Sequence, residues 1–435
     1  MSEAVRQPRI GVIGAGWAGL TAAVRSVQLG AEVTLIEMAR EPGGRARRTT
    51  TSAGIFDNGQ HILIGAYTAT LEQMRSVGAD PDRLLLRRPL ALVDPGGRGL
   101  RLPPGAPVPA FLRGVIGARH WRWRDRLALA AAAGGWWRRG FVCDPAWSVQ
   151  QLCHRLPRPV LQDLIEPLCV AALNTPMQQA SASVFLRVLR DALFSGPGSA
   201  DLLLPCAPLS ALLPDPAWAW LMAAGARCIA GRRVQTLARQ GDGWQVDGES
   251  FDAVVLACSP TESARLAEAI DPDWAARAAG LRYEPIVTAW LRDDRLQTPE
   301  PLVALPAGPQ APAQFAFDLG ALHTDRASRG LWAFVASSAA AWLSDGLAPC
   351  GLALLAQARQ AFPGAFAGPD GEVLVHVAAE RRATFACTPG LARPAGAIAP
   401  GLWAAGDAIA GPYPATLEGA VRSGLAAAEA LCRSV

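Results

Sequence analysis

The sequence predicts an α/β fold, in which a Rossmann-like dinucleotide-binding domain is interleaved with an α+β second domain. Three observations predict it. Residues 9–37, RIGVIGAGWAGLTAAVRSVQLGAEVTLIE, run strand, glycine turn, helix, strand and acid. Residues 251–258, FDAVVLAC, read as a further buried parallel strand. Residues 401–424 add a strand and a helix whose packed side is Gly419, Ala420, Ser423 and Gly424. At 435 residues the chain is too long for one simple core. The expected division assigns 1–84, 215–262 and 395–435 to the dinucleotide-binding domain. It assigns 85–214, mainly helical, and 263–394, with a mixed sheet, to the second.

Taken in order, residues 10–13 form the first apolar run, and Gly14, Gly16 and Gly19 follow at G-x-G-x-x-G spacing. Gly14 permits the tight strand-to-helix turn. Gly16 lets a pyrophosphate approach the backbone, and Gly19 lets the helix lie close on the strand. The helix, over 16–29, points its N-terminal N–H groups and positive dipole end at the phosphates. The second run, 33–36, ends at Glu37, a carboxylate suited to ribose hydroxyls and unsuited to a 2′-phosphate, which disfavours NADP at this site. Glu41-Pro42-Gly43-Gly44-Arg45 then combines close backbone approach with arginine forks for ligand oxygens. Residues 56–65, FDNGQHILIG, hold His61, one of only five histidines, whose ordinary pKa near ~6.5 suits a proton donor at neutral pH.

From about residue 85 the character changes. Residues 113–141 interleave Arg119, Arg122, Arg124, Arg126, Arg138 and Arg139 with Trp121, Trp123, Trp136 and Trp137, around a two-turn helix at 127–133. That mixture suits either half-buried tryptophans of a helical domain or a peripheral membrane contact through 113–141. Nucleic-acid binding would want a broader basic surface. Residues 150–194 read as helices broken at Pro167 and Pro176, the last capped by Ser183. The chain returns through strands at 227–230 and 234–239, a hairpin turn at 240–243 and the strand at 251–258. Strand-like runs at 286–291, 331–335 and 372–377, with a helix at 352–362, make a mixed sheet. A final strand at 402–405 delivers Gly406 and Asp407, and Thr416 caps the last helix.

Composition narrows the chemistry. A hydrophobic content of 51% with 18% charged residues describes a well-buried globular chain. No segment reaches the ~18 apolar residues of a membrane span. The N-terminus has no signal-peptide pattern, and nine scattered cysteines without a C-x-x-C pair fit a reduced, cytoplasmic protein with no metal site. Every one of the 41 basic residues is arginine. This excludes a Walker-type phosphate loop, Schiff-base chemistry, and any mechanism needing lysine at the reacting centre.

The Gly43-Gly44-Arg45 stretch, placed after a βαβ unit, resembles the G-G-R signature of the flavin amine oxidase and carotenoid desaturase superfamily, in which these residues line FAD. In the desaturase branch a run similar to residues 56–61 passes beside the isoalloxazine ring. Over nearly its whole length the chain resembles the squalene-associated flavoproteins, the hydroxysqualene dehydroxylases of bacterial hopanoid biosynthesis. The blocks that carry this are 57–61 (DNGQH), 167–176 (PLCVAALNTP), 201–205 (DLLLP) and 412–420 (PYPATLEGA). The resemblance implies a glutathione-reductase-like, two-dinucleotide-binding-type domain with FAD as cofactor. Besides the glycines and Glu37, it implies contacts from Gly44 and Arg45, from backbone near Val234 at the adenine, and from Asp407 with Gly406 at the ribityl chain. The N-terminus of the last helix, Thr416 and Leu417, would face the flavin pyrimidine.

The implied reaction is reductive removal of an allylic hydroxyl from hydroxysqualene. A cavity acid, His61 or Tyr413, protonates the leaving oxygen, and the reduced flavin N5 supplies hydride. Only one dinucleotide fingerprint is present, so the reductant is external, or NAD(P)H acting transiently. A polyene or carotenoid-type desaturase uses the same parts with opposite electron flow. An amine oxidase is disfavoured by the missing lysine and by a count of only three tyrosines. A non-catalytic flavin-binding or lipid-carrier protein is the alternative outside enzymes. The site of action expected is cytoplasmic, with a peripheral position on the inner face of the cytoplasmic membrane as the alternative that 113–141 leaves open.

Overall fold

The computed structural model describes residues 6–433. Its first unit is a six-stranded sheet ordered Arg227–Ile229, Glu32–Ile36, Arg9–Ile13, Ala253–Leu256, Leu402–Ala404, Ala397–Ala399. All neighbours are parallel except the last pair. The central strands are buried along their length, which is why they read as unbroken apolar runs. Helix Trp17–Gln28 packs against this sheet and against the C-terminal helix Leu417–Cys432. Small residues set both distances. A Cβ on Gly19 would lie 1.9 Å from the Gly14 carbonyl oxygen, and one on Gly424 would lie 2.3 Å from that of Ala18.

The second unit is built on a five-stranded antiparallel sheet ordered Leu302–Ala304, Phe315–Asp318, Leu331–Ala336, Tyr283–Arg292, Leu374–Phe385. Period-2 alternation assigns its two faces. Trp332, Phe334 and Ala336 pack with Cys350, Leu354 and Leu355 of helix Leu347–Ala361. Ala333 and Val335 belong, with Phe315 and Phe317, to the opposite core, shared with the helices of 107–194.

Several elements differ from the expectation, each for a local reason. The helix expected at 127–133 runs Trp123–Arg138, because Asp125 accepts from the Arg122 N–H at 3.1 Å and starts it earlier. Pro167 does not break its helix. It sits in the first turn of Glu166–Leu173, directly after a π-helical stretch Leu161–Ile165, where a missing N–H costs little. The cap of helix Ala182–Phe194 is Ser181 rather than Ser183: its Oγ accepts from the Val184 N–H. Only Leu237–Gln240 of the 234–239 run is strand, because Asp247 holds the Gln235 and Thr236 N–H groups at 2.9 and 2.8 Å. Strand Leu202–Pro205 pairs with Leu63–Ile64 and Leu85–Arg88, and Leu209, Leu212 and Leu213 join the dinucleotide-side core.

Candidate active site

A cavity of about 780 Å³ lies between the C-terminal ends of the parallel strands and the inner face of the antiparallel sheet. Its dinucleotide end is lined by Gly14, Gly16, Gly44, Glu37 and Val234. Gly14 takes φ +105°, and a Cβ there would meet the Ala257 carbonyl oxygen at 2.6 Å. Gly16 is different. It is extended, and its Cβ would meet only Gly44 Cα, at 3.9 Å, so its backbone is bare toward the cavity. Glu37 is buried. Its carboxylate accepts from the Ala15 N–H at 2.6 Å and from the Ala39 N–H at 2.8 Å, fixing the glycine turn. Each oxygen keeps a second lone pair for a hydroxyl. Arg265 donates to the Val234 and Gln235 carbonyls at 2.6 and 2.9 Å, pinning that loop against the cavity.

The middle of the cavity is polar and charged. Arg45 donates to the Ala383 carbonyl at 2.6 Å and forms a short ion pair with Asp407. Asp407 and Arg45, read from sequence as separate ligand contacts, are therefore first of all partners to each other. Burial works to lower the Arg45 pKa, but Asp407, together with Tyr283 and Glu380, outweighs it, so the guanidinium stays charged. Asn58 donates to the Arg45 carbonyl and to Glu380, at 3.1 and 3.0 Å. The Gly406 N–H donates to Ser423 Oγ at 3.1 Å. Thr416 caps the C-terminal helix by accepting from the Gly419 N–H at 2.9 Å, and Leu417 lines the cavity beside it. Ala415, just before the cap, is held at φ +56°, a left-handed conformation that a non-glycine residue adopts at a cost.

The far end is apolar. Ile62, Leu173, Ile286, Phe315, Phe317 and Val335 line it. Asn174 closes one wall from a left-handed helix end, φ 44°. Its amide donates to Thr384 Oγ1 at 2.9 Å and the Glu284 carbonyl at 3.1 Å, and its oxygen accepts from the Ser338 N–H at 2.7 Å. The block 167–176 thus clamps three segments around the chamber.

The two acid candidates fare unequally. His61 lines the cavity, but burial lowers its pKa to about 4. The Arg45 guanidinium adds to this, against an opposing effect of the Gly59 backbone. The imidazole is therefore neutral at pH 7 and offers an N–H, not an imidazolium proton. This corrects the expectation of an ordinary histidine pKa. Tyr413 is outside the cavity wall. Its ring sits beneath the Arg187 and Arg422 guanidiniums, 5.7 and 5.0 Å from their carbons, and its hydroxyl is turned to Asp191. The tyrosines that do line the cavity, Tyr67 and Tyr283, both keep their protons, because burial raises their pKa values. Sequence reasoning missed them and Glu380. With only three tyrosines in the chain all could have been weighed, whereas Glu380 lies in a strand without a motif.

The nucleotide cradle and the chamber joined to it define a dinucleotide-dependent oxidoreductase. The chain belongs to the flavin-containing amine oxidoreductase family, whose profile matches residues 17–432. It is an FAD-dependent oxidoreductase of that family. Among curated proteins it is 27% identical to a hydroxysqualene dehydroxylase of Rhodopseudomonas palustris, over 96% of this chain and 97% of that protein. It is 34% identical to a zeta-carotene desaturase of Zea mays over 28% of this chain and 23% of that one. Among solved structures an oxidoreductase from Methanosarcina mazei superposes with a TM-score of 0.72 at 15% identity, covering 97% of this chain and 100% of that one. That likeness is one of fold. The cradle fits FAD: bare Gly16 backbone at a helix N-terminus for the pyrophosphate, a buried carboxylate for a ribose, and a capped second helix N-terminus beside Leu417.

Proposed function

We propose that the protein catalyses reductive dehydroxylation of hydroxysqualene to squalene and water. The observation that carries this is the continuity of the cavity, from the cradle to a chamber walled by aliphatic and phenyl side chains. Reduced FAD supplies the hydride in this chemistry. The chain's own residues do the rest. Gly14, Gly16, Gly19, Glu37, Gly44, Arg45, Val234, Gly406, Asp407, Thr416 and Leu417 hold and orient the cofactor. Phe315, Phe317 and Val335 exclude water, so that a developing allylic cation is not trapped by solvent. The neutral His61 N–H and the Tyr67 and Tyr283 hydroxyls donate hydrogen bonds to the leaving oxygen; the proton that turns it into water as the C–O bond breaks passes from one of the tyrosine hydroxyls, which is reprotonated from solvent afterwards.

The three-stranded antiparallel ribbon at 237–251, set beside the parallel sheet, supports the glutathione-reductase-like subtype. Nine free cysteines support action in the cytoplasm, where the reductant, or NAD(P)H, docks transiently. The polyene desaturase reading is kept by the local similarity to the Zea mays enzyme.

One anaerobic experiment tests both. The flavoprotein is reduced with dithionite, hydroxysqualene is added, and flavin reoxidation is followed while lipids are extracted. Reoxidation with squalene formed in equal amount supports the proposal. An unchanged reduced flavin, with bleaching of the oxidised protein by a polyene, replaces it with the desaturase.

A further inference from the structure

We propose that residues 107–147 form a face that docks on the surface of an anionic phospholipid bilayer. Eight of the thirteen large apolar side chains exposed across the described residues fall within this one stretch. Helix Pro107–Gly117 buries Ala110 and Val115 and exposes Val108, Leu112 and Ile116, four residues apart, as a single stripe. Helix Trp123–Arg138 buries Leu129 and Trp136 and exposes Trp123 and Leu127 at the same spacing. Arg126 donates to the Ile116 carbonyl at 2.8 Å and the Trp121 carbonyl at 3.1 Å, which joins the end of one stripe to the start of the next. Ile116 and Trp123 are 62% and 64% exposed, Trp137 and Val142 62% and 67%, so these side chains stand clear of the protein and do not merely border its core. No helix among the described residues is long and apolar enough to cross a membrane, so the contact is with one leaflet.

Charge identifies the occupant. Among the described residues Arg113, Arg119, Arg122, Arg126, Arg138 and Arg139 have no carboxylate within ion-pairing distance. Of the acids in the stretch, Asp125 is buried at the helix start and Asp144 is exposed, so one exposed carboxylate stands against these arginines. A second copy of this face would set these arginines against each other. A lipid headgroup layer supplies the opposite charge, with apolar depth for the tryptophans. The inner sides of the same helices, Ala110, Val115, Leu129 and Trp136, pack into the core that includes Phe315, Phe317 and Val335. The proposed face is therefore the outer side of helices whose inner side joins the core that holds the chamber's apolar residues. Its use as the route for an isoprenoid substrate rests on the proposed function; bilayer docking does not.

Flotation of the flavoprotein with vesicles tests docking without substrate. Vesicles are phosphatidylcholine alone or mixed with phosphatidylglycerol. Binding is expected to the mixed vesicles, weakened by salt, and reduced roughly tenfold or more in Ile116→Glu/Trp123→Glu. The Arg138→Glu/Arg139→Glu variant should lose the preference for phosphatidylglycerol. Flavin absorbance and melting temperature report that each variant is folded. Absence of wild-type binding, or binding unchanged in folded Ile116→Glu/Trp123→Glu, overturns the proposal. So does a wild-type dimer in sedimentation that Ile116→Glu dissociates, since a second copy then covers the face. Failure of the dehydroxylase assay with vesicle binding intact refutes the reaction and leaves the docking standing.

Discussion

Gly16→Val separates the cradle's role from the fold's. Gly16 sits at φ −72°, ψ 179°, a conformation open to any residue, and its Cβ meets nothing nearer than Gly44 Cα at 3.9 Å. The apoprotein should therefore keep its stability, with an entropic gain of up to about 1 kcal/mol offsetting small contacts. The bound pyrophosphate, by contrast, loses its close approach to the backbone. Two charge-assisted hydrogen bonds lost at about 1.5–3 kcal/mol each predict roughly 10²- to 10⁴-fold weaker FAD binding. Gly19→Ala is the companion. Its Cβ would lie 1.9 Å from the Gly14 oxygen and 3.0 Å from Ala257 Cβ, so the helix must move by about an ångström. Overpacking of that kind costs about 1–3 kcal/mol in the apoprotein. The assay pairs apoprotein melting, followed by circular dichroism, with FAD titration by fluorescence quenching. The reasoning is refuted if Gly16→Val binds FAD within threefold of wild type, or if its apoprotein melts as low as Gly19→Ala.

Three further outcomes follow from buried or strained groups. Glu418 is fully buried and accepts from Thr70 N–H and Oγ1 at 2.9 and 2.7 Å and from Arg422 Nε at 2.8 Å; Glu418→Ala leaves the Thr70 donors unsatisfied and should cost about 2–4 kcal/mol in urea unfolding. Ala415→Gly relieves the positive φ and should leave unfolding free energy level or raise it by up to about 1 kcal/mol, whereas Ala415→Val should lower it. His61 has a folded pKa of about 4, below its unfolded value, so its contribution is present above the ordinary histidine pKa and is lost as pH falls through that window toward 4. Asp57 is raised to about 6 and acts the other way, destabilising the fold as pH rises through that range. The difference in melting temperature between wild type and His61→Gln across that range isolates the histidine, and a constant difference would refute its burial.

The parts legible in sequence were those set by near neighbours. The βαβ unit, the Thr416 cap and the hairpin at 240–243 each depend on a few adjacent side chains. What the sequence hid depends on distance along the chain. Arg45 meets Asp407 across 362 positions, and no local pattern announces that two residues, each suited to a ligand, will first satisfy one another. Glu418 stands in the first turn of the last helix, yet it reaches back to Thr70 and becomes a buried tie. Tyr413, named in sequence as an alternative acid, lies under Arg187 and Arg422 instead, and residue types leave a side chain's direction open. His61 lies on the cavity wall, and its lowered pKa follows burial, a property of the whole fold that the residue type does not carry.

The interleaving of the sheet has a consequence for biosynthesis. Strand Ala253–Leu256 lies between Arg9–Ile13 and Leu402–Ala404, and the first helix is covered by Leu417–Cys432. During translation the nascent cradle therefore waits, half exposed, until nearly the whole polypeptide has emerged. Contacts of such long sequence separation form slowly and leave apolar edges open to aggregation meanwhile. Flavin supply during expression then becomes a determinant of yield as well as of activity, since a ligand that binds only the completed cradle pulls the last step of assembly forward.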